Sequence, residues 1–270
     1  MLRRASRVFL YDSAQTWGLD IFELSEFLKQ TCPWLEVHTR KDFVPHHSPD
    51  TAVDLLPARI ADLSWQGAPS EELAWEHRWL SVPREPPFEA GFERIYDAFR
   101  LQAIYARLIP PSEAALSDLH IAFTEELIGT YDLADEQFHL RVIALGRPTI
   151  ISTSGLIEAP AKPREYYFVQ MQLQATGLVT QEDLDDLEEE FSDRCLSYGD
   201  ERLNLALRGY LLMALFYRMT GEGMCDDPQC RLYDAHWQEE LIAAQCHDRL
   251  GLCPRHEAIL NEARRRFASP

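Results

Sequence analysis

The stretch Ala214-Leu-Phe-Tyr-Arg-Met-Thr-Gly-Glu-Gly-Met-Cys225-Asp-Asp-Pro-Gln-Cys230-Arg-Leu232, followed downstream by Cys253-Pro-Arg-His256, decides how this sequence is read. Its first part closes a run in which Leu203, Ala206, Leu207, Tyr210, Leu211, Ala214 and Leu215 recur at helical spacing. That run, about Glu201 to Thr220, is apolar over most of its circumference, which marks a central buried helix. Its second part holds two short pairs: four residues separate Cys225 from Cys230, and two separate Cys253 from His256. A pair on a tight turn and a pair at a helix start can converge on one ion. Thiolate and imidazole suit tetrahedral zinc, and three Cys with one His is a standard structural set with no position left open for water. The expected cofactor is therefore one structural zinc ion, stapling the last two helices without catalysing. Cys246, His247 and His236 are close enough in sequence to stand in for His256 as the fourth ligand. Cys32 and Cys195 read as inert core thiols.

Outward from this stretch the chain divides in two. Val8 to Tyr11 reads as a strand. Asp12, Ser13 and Thr16 offer caps for a helix carrying Leu19, Phe22 and Phe27 on one side, and Leu35 to Thr39 alternate like a second strand. Seven of the sixteen prolines lie between Pro45 and Pro87, with Trp65, Trp75 and Trp79 among them. This Pro/Trp-rich insertion, at about 43–90, reads as an irregular excursion. Phe92, Ile95, Phe99 and Ala103 then suggest a helix running to Ile109. Strands are expected at His120–Thr124, Phe138–Leu145 and Thr149–Thr153. After them the pattern is helical: about Arg164–Ala175, the very acidic Gln181–Cys195, Glu201–Thr220, Ala235–His247 and Arg255–Phe267. The expectation is one domain over 1–270, with an α/β half at 1–156 and a helical, zinc-bearing half at 157–270.

Composition bounds the function. The chain has 270 residues, is 46% hydrophobic and 26% charged, and carries a formal net charge of −18. So acidic a surface repels phosphate backbones, which argues against a nucleic-acid or anionic-membrane binder. In the opening Met-Leu-Arg-Arg-Ala-Ser-Arg-Val8 segment, only Val8 to Leu10 form an apolar core. A secretory signal needs about 7–15 such residues, so a cytoplasmic protein is expected. Phosphate-loop, dinucleotide and Gly-x-Ser-x-Gly motifs are missing.

The segment Ala214 to His256 resembles the archaemetzincins, a family of zinc-dependent metallopeptidases. Their pattern is a helix bearing His-Glu-x-x-His, then x-x-Gly-x-x-His, followed at once by a Cys pair, a Met, and a second Cys pair. The three His bind the catalytic zinc, the Glu is the general base, and the cysteines hold a second zinc. Aligned on Cys225, Gly221 takes the family's Gly and Leu232 the Met position. Cys225, Cys230, Cys253 and His256 take the cysteine positions, His replacing the last Cys. The three metal-binding His positions hold Ala214, Arg218 and Met224, and the general-base position holds Leu215. Ala and Leu offer no ligand or base, Arg is a fixed cation, and Met suits hydrolytic zinc poorly. Thr149 to Leu156 looks like the family's edge strand, and Arg100 to Tyr105 like an upstream helix. More narrowly, Glu158 to Tyr167 and Cys230 to Glu240 are similar to an archaeal group described as zinc metallopeptidases. The resemblance implies an α/β fold: a twisted, metzincin-like mixed sheet, then a helical part stapled by structural zinc.

These readings converge on a zinc-binding, non-catalytic relative of a peptidase that binds a peptide or polypeptide partner by strand addition. Arg164 could clamp a peptide carboxylate, with Tyr166 beside it and Ser152 on the edge strand. The plainer reading of that Pro-bounded segment is a rigid connector with its Tyr rings turned inward. A metal-dependent hydrolase with ligands relocated to His236, Glu239, His120 or His139 is the alternative, and a zinc-stapled structural subunit a further one. His46 and His47 are expected to face water, and Glu182 to Glu190 to form a solvated helix face.

Overall fold

The computed structural model describes residues 2–14, 16–62, 94–134, 136–175 and 180–267. Trp65, Trp75, Trp79 and most of the expected Pro/Trp-rich excursion lie outside them. Strand β1 (Arg7–Tyr11) leads to helix α1 (Ile21–Thr31) and strand β2 (Glu36–Arg40). The short helix α2 (Phe43–His47) and strand β3 (Arg59–Asp62) follow. Strand β4 (Arg94–Asp97) then runs into α3 (Ala98–Leu108). Next come β5 (Asp118–Thr124), β6 (Leu127–Asp132), β7 (Gln137–Arg141), β8 (Ile143–Ala144) and β9 (Thr149–Ser152). The helices and strands described beyond Ser152 are all helices: α4 (Gly155–Glu158), α5 (Arg164–Ala175), α6 (Gln181–Glu190), α7 (Leu203–Thr220), α8 (Gln238–Gln245) and α9 (Pro254–Phe267). None of them is long and apolar enough to cross a membrane.

The strands form two mixed sheets, ordered β2-β1-β5-β9-β8 and β3-β4-β6-β7. In the first, β2, β1, β5 and β9 are parallel, and β8 is an antiparallel edge. Alternation along each strand feeds two cores. Val8, Leu10, Ile121, Phe123 and Ile151 face α1, α7 and α9. Phe9, Tyr11, Ala122 and Ile150 face the other way, onto α2, α3 and the second sheet. The α/β fold class and the central buried helix are as expected.

Four local expectations are corrected. In α1 the buried stripe is Ile21, Leu24, Ser25, Leu28 and Thr31, capped by Asp20, while Phe22 is 71% exposed. Ile95 belongs to strand β4, and Asp97 caps α3, which buries Ala98, Leu101 and Tyr105 and leaves Phe99 exposed. The expected single strand Phe138–Leu145 breaks at Val142, whose carbonyl takes the Ser152 N–H at 2.8 Å, so β7 and β8 serve different sheets. Strand β6 was not anticipated; it pairs with β7 as a hairpin.

Gly155 starts α4 where backbone passes close. A Cβ there would lie 2.7 Å from the Arg141 carbonyl and 2.9 Å from Ser152 Cβ. Gly155→Ala is expected to lower unfolding stability by about 1–3 kcal/mol, as overpacking against backbone does. The urea midpoint of the variant checks this.

Candidate metal centre

Helix α7 ends at Gly221, whose φ of +90° is the left-handed conformation that closes helices without strain on a side chain. The chain then turns back. Cys225 N–H bonds the Leu232 carbonyl at 2.8 Å, and Cys230 N–H bonds that of Asp227 at 2.9 Å, so both thiols sit on one tight loop. Cys253 precedes α9, and its carbonyl accepts the Glu257 N–H. His256, one turn in, therefore lies beside Cys253. Arg231, fully buried, locks the loop from behind by donating to the carbonyls of Leu205, His247 and Arg249.

The ligand atoms of Cys225, Cys230, Cys253 and His256 all lie within 4.8 Å of one another. The Cys225 and Cys253 Sγ atoms are 4.0 Å apart, and His256 Nδ1 is 3.6 Å from Cys230 Sγ and 3.1 Å from Cys253 Sγ. Tetrahedral zinc, with Zn–S about 2.3 Å and Zn–N about 2.0 Å, places sulfurs ~3.8 Å apart and nitrogen ~3.5 Å from sulfur. The donor set thus fits one ion. Backbone N–H groups of Asp227 and Cys253 point at the Cys225 and Cys230 sulfurs, each at 3.4 Å, as thiolates require. Burial pushes the Cys230 thiol up to about 12 and raises that of Cys225. Burial acts the same way on Cys253, but nearby N–H donors and thiols bring it below its ordinary value. The His256 ring stands edge-on to Phe216 of α7, so the centre ties α7 to α9.

The alternatives for the fourth ligand lie elsewhere. His247 Nδ1 receives an Arg231 N–H at 2.9 Å, and His236 is exposed. Cys246 is not in the group either, and burial raises its thiol to about 11. On α7, Ala214 and Leu215 are sealed in the core and Arg218 is buried; Met224, beyond the helix end, is exposed.

Of the three residues expected to bind peptide, two are turned away from the surface. Ser152 is fully buried, its hydroxyl donating to the Glu126 carbonyl and accepting the Gly155 N–H. Its strand, β9, lies inside the sheet, because β8 covers its flank. Tyr166 is buried against Leu187, Phe191 and Cys195, and its hydroxyl takes the Lys162 ammonium at 3.1 Å. Arg164 alone of the three is exposed. Of the two Tyr rings expected to turn inward, Tyr166 does so and Tyr167 stays exposed.

The relocated ligands also fail to gather. Glu239 pairs with Arg194 at 2.7 Å, and neither it nor His236, His120 or His139 belongs to a metal-ligand group among the described residues. His120 instead joins a network that the sequence did not disclose. Its Nε2–H donates to the Glu113 carbonyl at 2.8 Å, so its Nδ1 must accept from the Tyr11 hydroxyl, also at 2.8 Å. The Tyr11 oxygen then accepts from His47 Nε2 at 2.9 Å and Arg40 Nη1 at 3.0 Å. Arg40 in turn forks onto Glu113. His47, expected in water, is half-buried here; burial foremost, then His46 and Arg40, lowers its pKa to about 4. Only long-range spacing, Tyr11 to His47 to His120, could have hinted at this.

Comparison with known proteins places these findings. The probable metallopeptidase family (DUF6775) matches residues 4–263. The crystal structure of archaemetzincin (amzA) from Methanopyrus kandleri is similar over 97% of both chains, at 12% identity and a TM-score of 0.43. No curated protein matches.

Two outcomes are expected. Metal binding must displace protons from raised thiols, so affinity rises with pH and falls about tenfold or more per unit of acidification below neutrality. Competition with a chelator across pH measures it, and His256→Ala should cost more than the roughly 10–100-fold of losing an outer partner. Separately, His47 titrates near 6.5 when unfolded and near 4 when folded. The unfolded state binds more protons in that window, so stability falls as pH drops from 6.5 towards 4. Urea midpoints should show that slope flattened in His47→Gln.

Proposed function

The chain belongs to the probable metallopeptidase family (DUF6775), and we propose that within it this protein is a zinc-stapled, non-catalytic member that docks a polypeptide. The observation carrying this reading is the donor set itself. The one metal-ligand group among the described residues is Cys225, Cys230, Cys253 and His256. Four protein ligands close a tetrahedral ion, leaving no position for the water that hydrolysis needs. Zinc bound there would supply cohesion between the α7 end and the α9 start. Supporting this, the residues at the four positions that the archaemetzincin resemblance assigns to catalysis have no hydrolytic chemistry to offer. Ala214 and Leu215 lie in the apolar core, and filling them with ligands would bury unpaired polar groups.

The docking part of the proposal rests on the sheet edge. β8 is the last strand of the larger sheet. Beside it runs a shallow groove lined by Leu140, Ile143, Pro160, Tyr210, Met224 and His236. An extended segment laid there could add backbone hydrogen bonds to β8 and place alternate side chains in the groove. The second reading, a working metallopeptidase, is favoured by the family's description alone.

Metal stoichiometry after dialysis separates the two. One zinc per chain, removable only with loss of the fold, and no cleavage of a mixed peptide library are the expected results. Two metals, one of them removable from a folded chain with loss of peptide cleavage, would overturn the non-catalytic reading.

A further inference from the structure

The larger sheet is wound from both faces. From β1 the chain crosses to β2 through α1, on the face packed against α7 and α9. It then returns past β1 to β5, with α3 on the opposite face. The direction of winding therefore reverses between β1 and β5. In open α/β sheets, ligands bind outside the carboxyl ends of the strands at such a point.

A pocket lies there. Thr16 and Trp17 follow β1, Glu125 follows β5, Thr153 and Ser154 follow β9, and Tyr198 closes the wall ahead of α7. Trp17 is 50% exposed, and its ring rests on Gly199, where a Cβ would meet Cε3 and Cζ3 at 2.8 Å. Glu125 and Ser154 are buried.

The hydrogen bonds of the wall leave acceptors facing the pocket. The Thr16 and Thr153 hydroxyls share one hydrogen bond at 2.8 Å, and their other proton goes to Ser13 Oγ at 3.0 Å or the Thr124 carbonyl at 3.2 Å. The Tyr198 hydroxyl donates to Glu158 at 3.1 Å. Burial first, then the charge of Glu158, hold its phenol well above the ordinary value, so it keeps that proton; the Glu125 charge acts the same way. Ser154 Oγ has no partner at good hydrogen-bond geometry, and its polar neighbour is that same Tyr198 hydroxyl. Asp200, also on the wall, is held at both oxygens by Arg202, at 2.9 and 2.6 Å. No lysine, arginine or histidine among the described residues lines the pocket.

We propose that this pocket, at the carboxyl ends of β1, β5 and β9, binds the ammonium group of a small organic amine. An ammonium carries three donors and no acceptor, which matches walls whose own protons are mostly committed. A polyol would bring oxygens that need donors, and an anion would meet Glu125 with no cation to hold it. The face of Trp17 at the rim suits the same charge through its ring electrons. The pocket shares no lining residue with the groove beside β8, so this inference stands apart from the peptide-docking proposal.

Isothermal titration of the full chain with propylammonium chloride tests it, with 1-propanol and potassium chloride as controls at matched ionic strength and thermal unfolding in parallel. Propylammonium should bind saturably and raise Tm, and neither control should. Affinity should fall about tenfold or more in Glu125→Gln, which removes the charged acceptor. It should fall about two- to fivefold in Trp17→Leu. Trp17 is half exposed, so its replacement spares the core and decides the matter if Glu125→Gln does not fold. No saturable binding, or undiminished binding in either folded variant, would overturn the site. 1-Propanol binding as well as propylammonium, or potassium competing equally, would overturn the ligand class.

Discussion

Thirteen of the eighteen residues of α7 are shut away from water. Each fully buried Leu, Met or Phe side chain contributes about 1.5–3 kcal/mol, and this helix carries eight of them, from Leu203 to Met219. A helix apolar on nearly every side needs cover on every side. The parallel sheet supplies one wall through Leu119, Ile121 and Ile151, and α1 and α9 supply others through Leu24, Leu28, Leu260 and Ala263. The loop of Cys225 and Cys230 closes the end. The demand for cover also explains the chemistry that is missing from α7. Positions 214 and 215 face packed core, where a ligand or a base would be desolvated without a partner.

The cysteine loop and α9 hold each other across the end of that helix. Cys253 and His256 sit a turn apart at the start of α9. Their partners depend on a fold-back set by Gly221, by the Cys225–Leu232 hydrogen bond and by Arg231. Without an ion, burial keeps the Cys230 thiol protonated at neutral pH. A bound metal would replace that proton, so proton release, metal binding and closure of this corner are a single linked equilibrium.

The larger sheet was legible because its strands alternate or run apolar between clear breakers. The helical half was legible from 3.6-residue periodicity. The expectations that fail share one cause: spacing defines a face, but packing decides which face finds a partner. Phe22 and Phe99 have the right spacing for a buried stripe, yet lie exposed, because Ile21 with Leu24 and Leu101 with Tyr105 meet the sheet instead. Phe138 to Leu145 is one extended run in sequence, and only the second sheet, completed by the unforeseen β6, shows that it must break at Val142. Ser152 lost its expected exposure in the same way, once β8 took the edge.

The sequence by itself determined the α/β order, the buried helix and the paired Cys and His spacings of a candidate metal centre, since periodicity and spacing are local properties of the chain. It also left His256, Cys246, His247 and His236 competing for one role. Only the tertiary structure brings His256, rather than the others, to within 4.8 Å of the three thiols, because that convergence depends on how α9 docks against the loop. The same holds for the Tyr11–His47–His120 network and for the burial of Arg218. Each is made by side chains brought together from distant segments, and their partners or lack of them are fixed by packing, which no local pattern encodes.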